Sequence, residues 1–315
     1  MTQDLHVVLG ATGGIGASVV AALQQQGHAV RAVNRSGDAA TTGERLAADV
    51  STPAGAARAV AGAAVVYHCA QPEYTQWHGH FAAMNTAVAD ACEQVGAKLV
   101  FADNLYMYEP VGDSIGEDSA QRPTSKKGRL RKQLADDLMA RHVAGRQRVT
   151  IGRASDYYGP GGTDSTPAAL VFESLAKGKR PRWMGSLDAA HTLHYLPDVG
   201  EALVALGNDE RADGRVWVLP AAQALTGRQW VQAAIEASGR SGVTPGLVSP
   251  FMNRLAGLFI PIVREMNEIM YQFAEPFVVD DRAFRATFPA VSTTEPTLAV
   301  KQTVEWFAEQ RHPAA

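Results

Sequence analysis

Residues 10–16 read Gly-Ala-Thr-Gly-Gly-Ile-Gly, directly after the apolar run Val7-Val8-Leu9 and just ahead of a helical stretch, Ala17 to Gln26. A glycine turn between a strand and a helix can hold phosphates on the unpaired N–H groups of the helix N-terminus. Gly10 permits the tight turn, Gly13 lets backbone approach a pyrophosphate and Gly16 allows close helix–strand packing, with Thr12, Gly14 and Ile15 completing the loop. The pattern in this setting predicts a dinucleotide site. Its second strand ends in Asn34-Arg35-Ser36, where an NAD site usually carries a carboxylate for the ribose 2′-hydroxyl. Asn34 is neutral and Arg35 offers a charged fork of donors, so a 2′-phosphate is favoured and the expected cofactor is NADP(H). Asp49-Val50, closing the third strand, is expected by position to flank the adenine.

The elements needed to position these groups follow from short apolar runs. Strands are predicted at His6–Leu9, Ala29–Val33, Arg45–Ala48, Ala64–Ala70, Lys98–Ala102, Val149–Arg153 and Val216–Leu219. Most are continuous rather than alternating, as in a parallel sheet covered on both faces. Helices are predicted between them at Gly16–Gln26, Pro53–Ala61, Gly79–Val95 and Thr124–Val143. The βα alternation predicts an α/β fold, a doubly wound parallel Rossmann sheet with helices on both faces, and ligands at the carboxyl ends of the strands. Residues 1–154 would form the cofactor-binding core. Residues 155–315 would complete it and add a smaller substrate lobe from 155–195 and 220–290. The stretch Phe251–Phe273 has apolar residues at spacings of three and four, which predicts an amphipathic helix kinked or restarted at Pro261.

Composition narrows the function classes. The chain has 315 residues, 46% of them hydrophobic, and a formal net charge of −3. That is ordinary globular composition without the basic field of a general nucleic-acid or membrane binder. The two cysteines, Cys69 and Cys92, read as core residues, and the histidines show no metal-ligand spacing beyond His78-Gly79-His80 and His191/His194, neither of which comes with a cysteine or carboxylate cluster. No signal-peptide pattern opens the chain, so a cytoplasmic location is expected.

The glycine turn, Tyr67-His68-Cys69-Ala70, Asn85, the segment from Arg153 to Tyr158-Gly159-Pro160-Gly161, His194 to Val199 and Thr297–Phe307 occur in an order that resembles the extended short-chain dehydrogenase/reductase superfamily, in its branch of NAD(P)-dependent sugar epimerases and dehydratases. The resemblance implies cofactor contacts from Ala70 and Arg153, and substrate contacts from Asp103, Asp156 and Tyr157. It also implies a Ser/Thr near the end of the fifth strand and a Tyr-x-x-x-Lys pair on the next helix.

Here the chain departs from the family. Aligning Tyr108 with the tyrosine that ends the fifth-strand segment puts Asn104 at the serine position, Lys127 at the catalytic tyrosine and Arg131 at the lysine. Arg131 can hold a ribose but cannot release a proton. Asn104 can polarise a carbonyl. Lys127, crowded in sequence by Lys126, Arg129 and Arg131, is the first candidate for acid/base work, and Tyr106 and Tyr108 are the rivals, sharing one face if the strand stays extended. Alternatively, the run Lys126–Lys132 is a solvated basic face.

The expected function is an NADP(H)-dependent oxidoreductase or epimerase-like enzyme for a small carbonyl or alcohol substrate. The alternatives are a non-redox isomerase or dehydratase that keeps the cofactor, and a non-catalytic NADP(H)-binding sensor. A homodimer is expected through the helices Gly79–Val95 and Thr124–Val143, whose apolar stripes are Phe81, Met84, Val88 and Ala91, and Leu130, Leu134, Leu138 and Met139.

Overall fold

The computed structural model describes residues 4–109, 114–249, 253, 255 and 257–311. Seven parallel strands form the central sheet: β1 (Leu5–Leu9), β2 (Ala29–Asn34), β3 (Glu44–Ala47), β4 (Val65–His68), β5 (Lys98–Asp103), β6 (Val149–Arg153) and β7 (Val216–Val218). Their spatial order is β3-β2-β1-β4-β5-β6-β7. The order reverses between β1 and β4, and in such sheets the crevice beyond the strand ends at that switch receives ligands.

Alternate residues along the strands feed two apolar layers. Val7, Leu9, Val66 and Phe101 face α2 (Pro53–Val60), α3 (Trp77–Val95) and α4 (Lys126–Val143). Val8, Ala32, Tyr67 and Val100 face α1 (Gly14–Gln25) and α5 (Leu196–Asn208). Burial on both faces explains why the strands read as continuous apolar runs. Local chemistry sets the helix ends. Thr52 accepts from the Gly55 N–H at 3.1 Å with Pro53 in the first turn of α2, and Ser125 accepts from the Gly128 N–H at 3.1 Å at the start of α4.

The stripes on α3 and α4 belong to the first layer: Phe81, Met84, Val88, Ala91, Leu130, Leu134 and Leu138 are all buried within one chain, with Met139 packed against them. They therefore supply no free apolar face for a second copy.

A separate core that includes Tyr158, Phe172, Trp183, Trp230, Phe273 and Phe307 builds the lobe with α6 (Gly227–Ala237) and α8 (Pro296–Arg311). The stretch predicted as one amphipathic helix restarts at Pro261, which opens α7 (Pro261–Met266). Its two ends differ. Ile269 and Phe273 are buried, whereas Leu255, Leu258 and Ile262 are exposed, and Phe251 and Arg254 lie outside the described residues. Among the described residues no helix is long and apolar enough to cross a membrane.

Candidate active site

At the switch point Gly10 takes φ +79°, and its N–H and that of Ala11 both donate to the Val33 carbonyl, at 2.9 and 3.1 Å. A Cβ on Gly10 would come within 2.8 Å of Ala70 backbone, and one on Gly16 within 2.1 Å of the Gly10 carbonyl oxygen. Both positions need glycine for the turn to lie against β4 and for α1 to lie against the turn. Gly13 is different: a Cβ there would meet only the Gly10 oxygen, at 3.5 Å. It leads into α1 with no side-chain cap and no acidic residue in the first turn. Thr12 and Gly13 are exposed, and Gly14 and Ile15 half-buried. An uncapped helix N-terminus at the switch point, with its N–H groups open, fits a pyrophosphate.

At the end of β2, Arg35 is exposed and makes no ion pair with a described residue. Asn34 is held in a turn. Its Nδ2 donates to Ser36 at 2.9 Å and to Asp38 at 2.6 Å, and its Oδ1 accepts from the Gly37 N–H at 3.0 Å. A carboxylate is thus present in this loop four residues after the position where the sequence lacks one. Asp49 is exposed beside buried Val50. Bonds from the Ser51 hydroxyl and N–H hold Asp49 below the usual carboxylate range, with a smaller contribution from Arg35.

Beyond β5 and β6 the ionic groups assemble in a way that the sequence did not suggest. Asp103, expected to meet substrate, has a fully buried side chain. It accepts from Arg131 Nε at 2.7 Å, Arg131 Nη2 at 2.5 Å, Arg153 Nε at 2.9 Å and the Asn104 N–H at 2.8 Å. Both guanidiniums are almost fully buried (3% and 1% exposed), and that of Arg131 lies 5.0 Å from the Phe81 and Phe101 rings and 5.4 Å from Trp77. Asp103 is therefore an internal counter-ion. Arg131, expected on the ribose, is largely committed to it and to the Ala102 carbonyl at 3.2 Å.

Lys127 departs from expectation too. It is 1% exposed, and its ammonium lies 2.8 Å from Glu265, 2.6 Å from the Tyr74 carbonyl oxygen and 3.8 Å from the centroid of the Tyr74 ring. Its nearest charge is an anion carried by α7, not the neighbouring cations, which find separate partners: Arg129 on the Thr124 carbonyl and Lys132 on Asp136. The basic run is therefore not one solvated face, because Lys127 and Arg131 point inward. Glu268 adds to the clamp, accepting from the N–H groups of Lys126 and Lys127 at 3.1 and 3.4 Å.

The two candidate tyrosines do not share a face. β5 ends at Asp103, and the chain turns, with Tyr108 N–H donating to the Leu105 carbonyl at 3.1 Å and Tyr106 N–H to the Asn104 side chain at 3.1 Å. Tyr108 is buried and its hydroxyl accepts from Arg153 Nη1 at 2.7 Å. Tyr106 is half-buried, and Asn104 keeps its amide N–H groups without a partner among the described residues. The turn can lie on α4 because residue 128 is glycine: a Cβ there would sit 2.3 Å from the Tyr106 carbonyl oxygen. Burial pushes the Tyr106 phenol well above its ordinary value, and Tyr74 and Asp156 push in the same direction.

Asp156 and Tyr157 both remain half-buried past β6. Asp156 lies 3.0 Å from Nε2 of His191, a residue the sequence offered only as part of an unconvincing metal pattern. Tyr74 and Tyr271 also line this region. Their signal was no stronger than an aromatic residue in a loop and another in an amphipathic stretch.

A parallel sheet with an uncapped glycine turn at its switch point, polar groups past the next strand ends and a lobe of its own defines a Rossmann-type dinucleotide-binding protein. The chain belongs to the NAD dependent epimerase/dehydratase family, whose model matches residues 6–219. No curated protein matches it by sequence. Among solved structures it is similar to UDP-glucuronic acid 4-epimerase from Bacillus cereus in complex with NAD (16% identity, 99% of each chain covered, TM-score 0.80). It is also similar to UDP-glucose 4-epimerase from Thermotoga maritima with UDP-glucose (16% identity, 98% of this chain and all of the other, TM-score 0.80). A third is dTDP-glucose 4,6-dehydratase from Bacillus anthracis in complex with NAD (13% identity, 98% and 97% covered, TM-score 0.80). At these identities the likeness establishes the fold.

Proposed function

We propose that the protein is an NADP(H)-dependent oxidoreductase or epimerase-like enzyme that acts on a small carbonyl or alcohol compound with non-standard acid/base groups. The observation that carries this reading is that half-buried Asn104 and Tyr106 follow the carboxyl end of β5, on the same sheet edge as the uncapped N-terminus of α1. The N–H groups of residues 14–16 would hold the pyrophosphate and Arg35 the 2′-phosphate, with Ala70, Asp49 and Val50 along the cofactor. When bound, a nicotinamide dinucleotide supplies or accepts a hydride. Asn104 would donate to a substrate oxygen, and Tyr106 is favoured as a hydrogen-bonding phenol over Tyr108, which is closed off by Arg153.

Nucleotide sugars are the substrates or ligands of several similar structures. A smaller compound is preferred here because several of the lobe's cations are already engaged. Arg180 donates to Thr244 and the Pro245 carbonyl, Arg240 to the carbonyls of Gly178 and Lys179, and Arg228 pairs with Asp188. A second reading, a sensor without chemistry, is favoured by one observation: Lys127 and Arg131 are both occupied by internal anions.

Calorimetric titration with NADPH and NADH tests the cofactor assignment. NADPH should bind tighter, and Arg35→Ala should weaken it about 10- to 100-fold with little change for NADH, the scale of one charged hydrogen bond. Equal affinities in the wild type would reject NADP(H). Absorbance at 340 nm with NADPH and DL-glyceraldehyde, short-chain aldehydes, aldoses or UDP-glucose tests the enzyme reading, and no turnover on any of them favours the sensor.

A further inference from the structure

Asp156, three residues past β6, meets His191, in the short strand Ala190–His191, with Oδ2 3.0 Å from Nε2. The other ring nitrogen, Nδ1, lies 3.0 Å from the carbonyl oxygen of Gln272. A carbonyl oxygen only accepts, so Nδ1 carries the hydrogen of that bond. Nε2 then faces a carboxylate oxygen, and this contact is a hydrogen bond only if a further proton lies between them, on the imidazole or on the carboxyl.

The rest of the geometry gives that proton one way out. The imidazole is stacked on Phe273 (centroids 4.6 Å apart, planes 8° apart) and on Phe277 (5.5 Å, 21°), with Trp183 edge-on at 5.9 Å. Trp230 Nε1 fixes the backbone by donating to the His191 carbonyl at 2.9 Å. The ring cannot turn, and its side chain is 2% exposed against 10% for Asp156. Asp156 Oδ1 accepts no hydrogen bond from a described residue. The charge of Asp156 acts on four half-buried tyrosines, Tyr74, Tyr106, Tyr157 and Tyr271. Burial is the main cause pushing all four phenols up, Tyr157 to about 12, and Asp156 adds to it. Such phenols donate hydrogen bonds at neutral pH but do not readily ionise. His194, the other nearby imidazole, is fully buried and bonded to the Ser155 N–H and the Leu219 carbonyl oxygen.

We propose that Asp156 and His191 form the acid/base pair of the substrate site, Asp156 meeting a hydroxyl or carbonyl oxygen of the substrate and His191, as a positioning residue, holding the proton behind it. With the pair deprotonated, the substrate O–H bond breaks, its proton passes to the carboxyl and is shared with Nε2, and the bonding electrons stay on the substrate oxygen. In reverse, the pair returns the proton to that oxygen. This inference rests on the enzyme reading above and gives its proton a place outside the positions of the missing tyrosine and lysine.

Nitrogen-15 NMR of the histidine rings in the full chain at pH 7 reads the proton directly. In the wild type both His191 nitrogens should carry or share a proton, whereas in Asp156→Asn only Nδ1 should. An unprotonated Nε2 in the wild type, indistinguishable from that in the variant, overturns the proposal. In the 340 nm assay with the probes named above, Asp156→Asn should lower kcat by about 10²–10³-fold with KM little changed. Asp156→Glu should recover at least a tenth of the wild-type kcat, which a merely structural loss would not allow, and NADPH affinity should stay the same throughout. Full turnover in Asp156→Asn overturns the pair and leaves the enzyme reading standing. No turnover in the wild type overturns the enzyme reading and the catalytic role with it, while the NMR result still decides the shared proton.

Discussion

Replacing Asp103 with asparagine should be among the most damaging single changes outside the apolar core. Asp103 is fully buried and, among the described residues, is the one anion bonded to the two almost fully buried guanidiniums of Arg131 and Arg153. The trio carries a net charge of +1, and Asp103→Asn raises it to +2 without adding a group to disperse it. Removing one partner of a buried ion pair costs about 3–5 kcal/mol, because the remaining charge stays desolvated. Arg131→Met is the matched control. It leaves Asp103 paired with Arg153 at 2.9 Å and puts an apolar chain among Trp77, Phe81 and Phe101. The loss should then be nearer that of a charged hydrogen bond, about 1.5–3 kcal/mol. Urea denaturation of both variants, followed by fluorescence and far-UV circular dichroism, measures the difference. NADPH titration of Arg131→Met asks at the same time whether the guanidinium reaches the cofactor. If Asp103→Asn is no less stable than Arg131→Met, the trio is not the electrostatic knot described here. If Arg131→Met keeps its stability but loses NADPH affinity, Arg131 belongs to the cofactor rather than to Asp103.

Three further outcomes are expected. Gly128→Ala should displace the Tyr106 turn, since the new Cβ would lie 2.3 Å from the Tyr106 carbonyl oxygen, and it should cost about 1–3 kcal/mol as overpacking; an unchanged melting temperature and an unchanged Tyr106 position would contradict this. Acid should destabilise the fold through its buried histidines. Burial, helped by Arg131, lowers His68 to about 3, burial lowers His194 to about 4, and burial with His28 lowers His6 to about 4. Each has a folded value below its unfolded one, so the unfolded chain binds more protons, and stability is intact above about pH 6.5 and falls as the pH drops toward 4, by about 1–2 kcal/mol per histidine at pH 5. Urea midpoints between pH 7.5 and 5 measure the slope, and His68→Phe should flatten it. Light scattering across the micromolar range tests association: with the α3 and α4 stripes buried in one chain, a dimer would have to use other surfaces, and a mass near 33.5 kDa at every concentration would rule it out.

The glycine turn was legible because everything it needs is local: a strand before it, a helix after it, and steric demands between residues 10 and 16 that a short window contains. The doubly wound parallel sheet followed because continuous apolar runs separated by helices admit few other arrangements. The ionic groups past β5 were misread for the opposite reason. In sequence Lys127 sits among cations, and the partner that changes its surroundings, Glu265, arrives on α7 from more than a hundred residues away. Arg131 looked free for a ribose because Asp103, which engages it, ends a strand whose last side chain could equally have pointed to solvent. Tyr106 and Tyr108 were paired on the assumption of an extended strand, and the Asn104 side chain, by accepting from the Tyr106 N–H, helps form the turn that separates them.

A common feature links these departures. Lys127 and Arg131, which the sequence alignment would set at the family's tyrosine and lysine positions, are two buried cations, and each has an anion beside it: Glu265 for Lys127 and Asp103 for Arg131. A buried charge without a partner would be costly, so the substitutions and their counter-ions have to be considered together. Glu265 on α7 and Glu268 just after it tie this segment to the first turn of α4, while Asp103 ties α4 to β6 through Arg153. Lys127 and Arg131 thereby brace the lobe against the core. Proton transfer, if the enzyme reading holds, then has to come from a group with a free face. Asp156, half-buried and backed by a fixed imidazole, meets that requirement better than Lys127, whose ammonium is 1% exposed and enclosed by Glu265, the Tyr74 carbonyl and the Tyr74 ring.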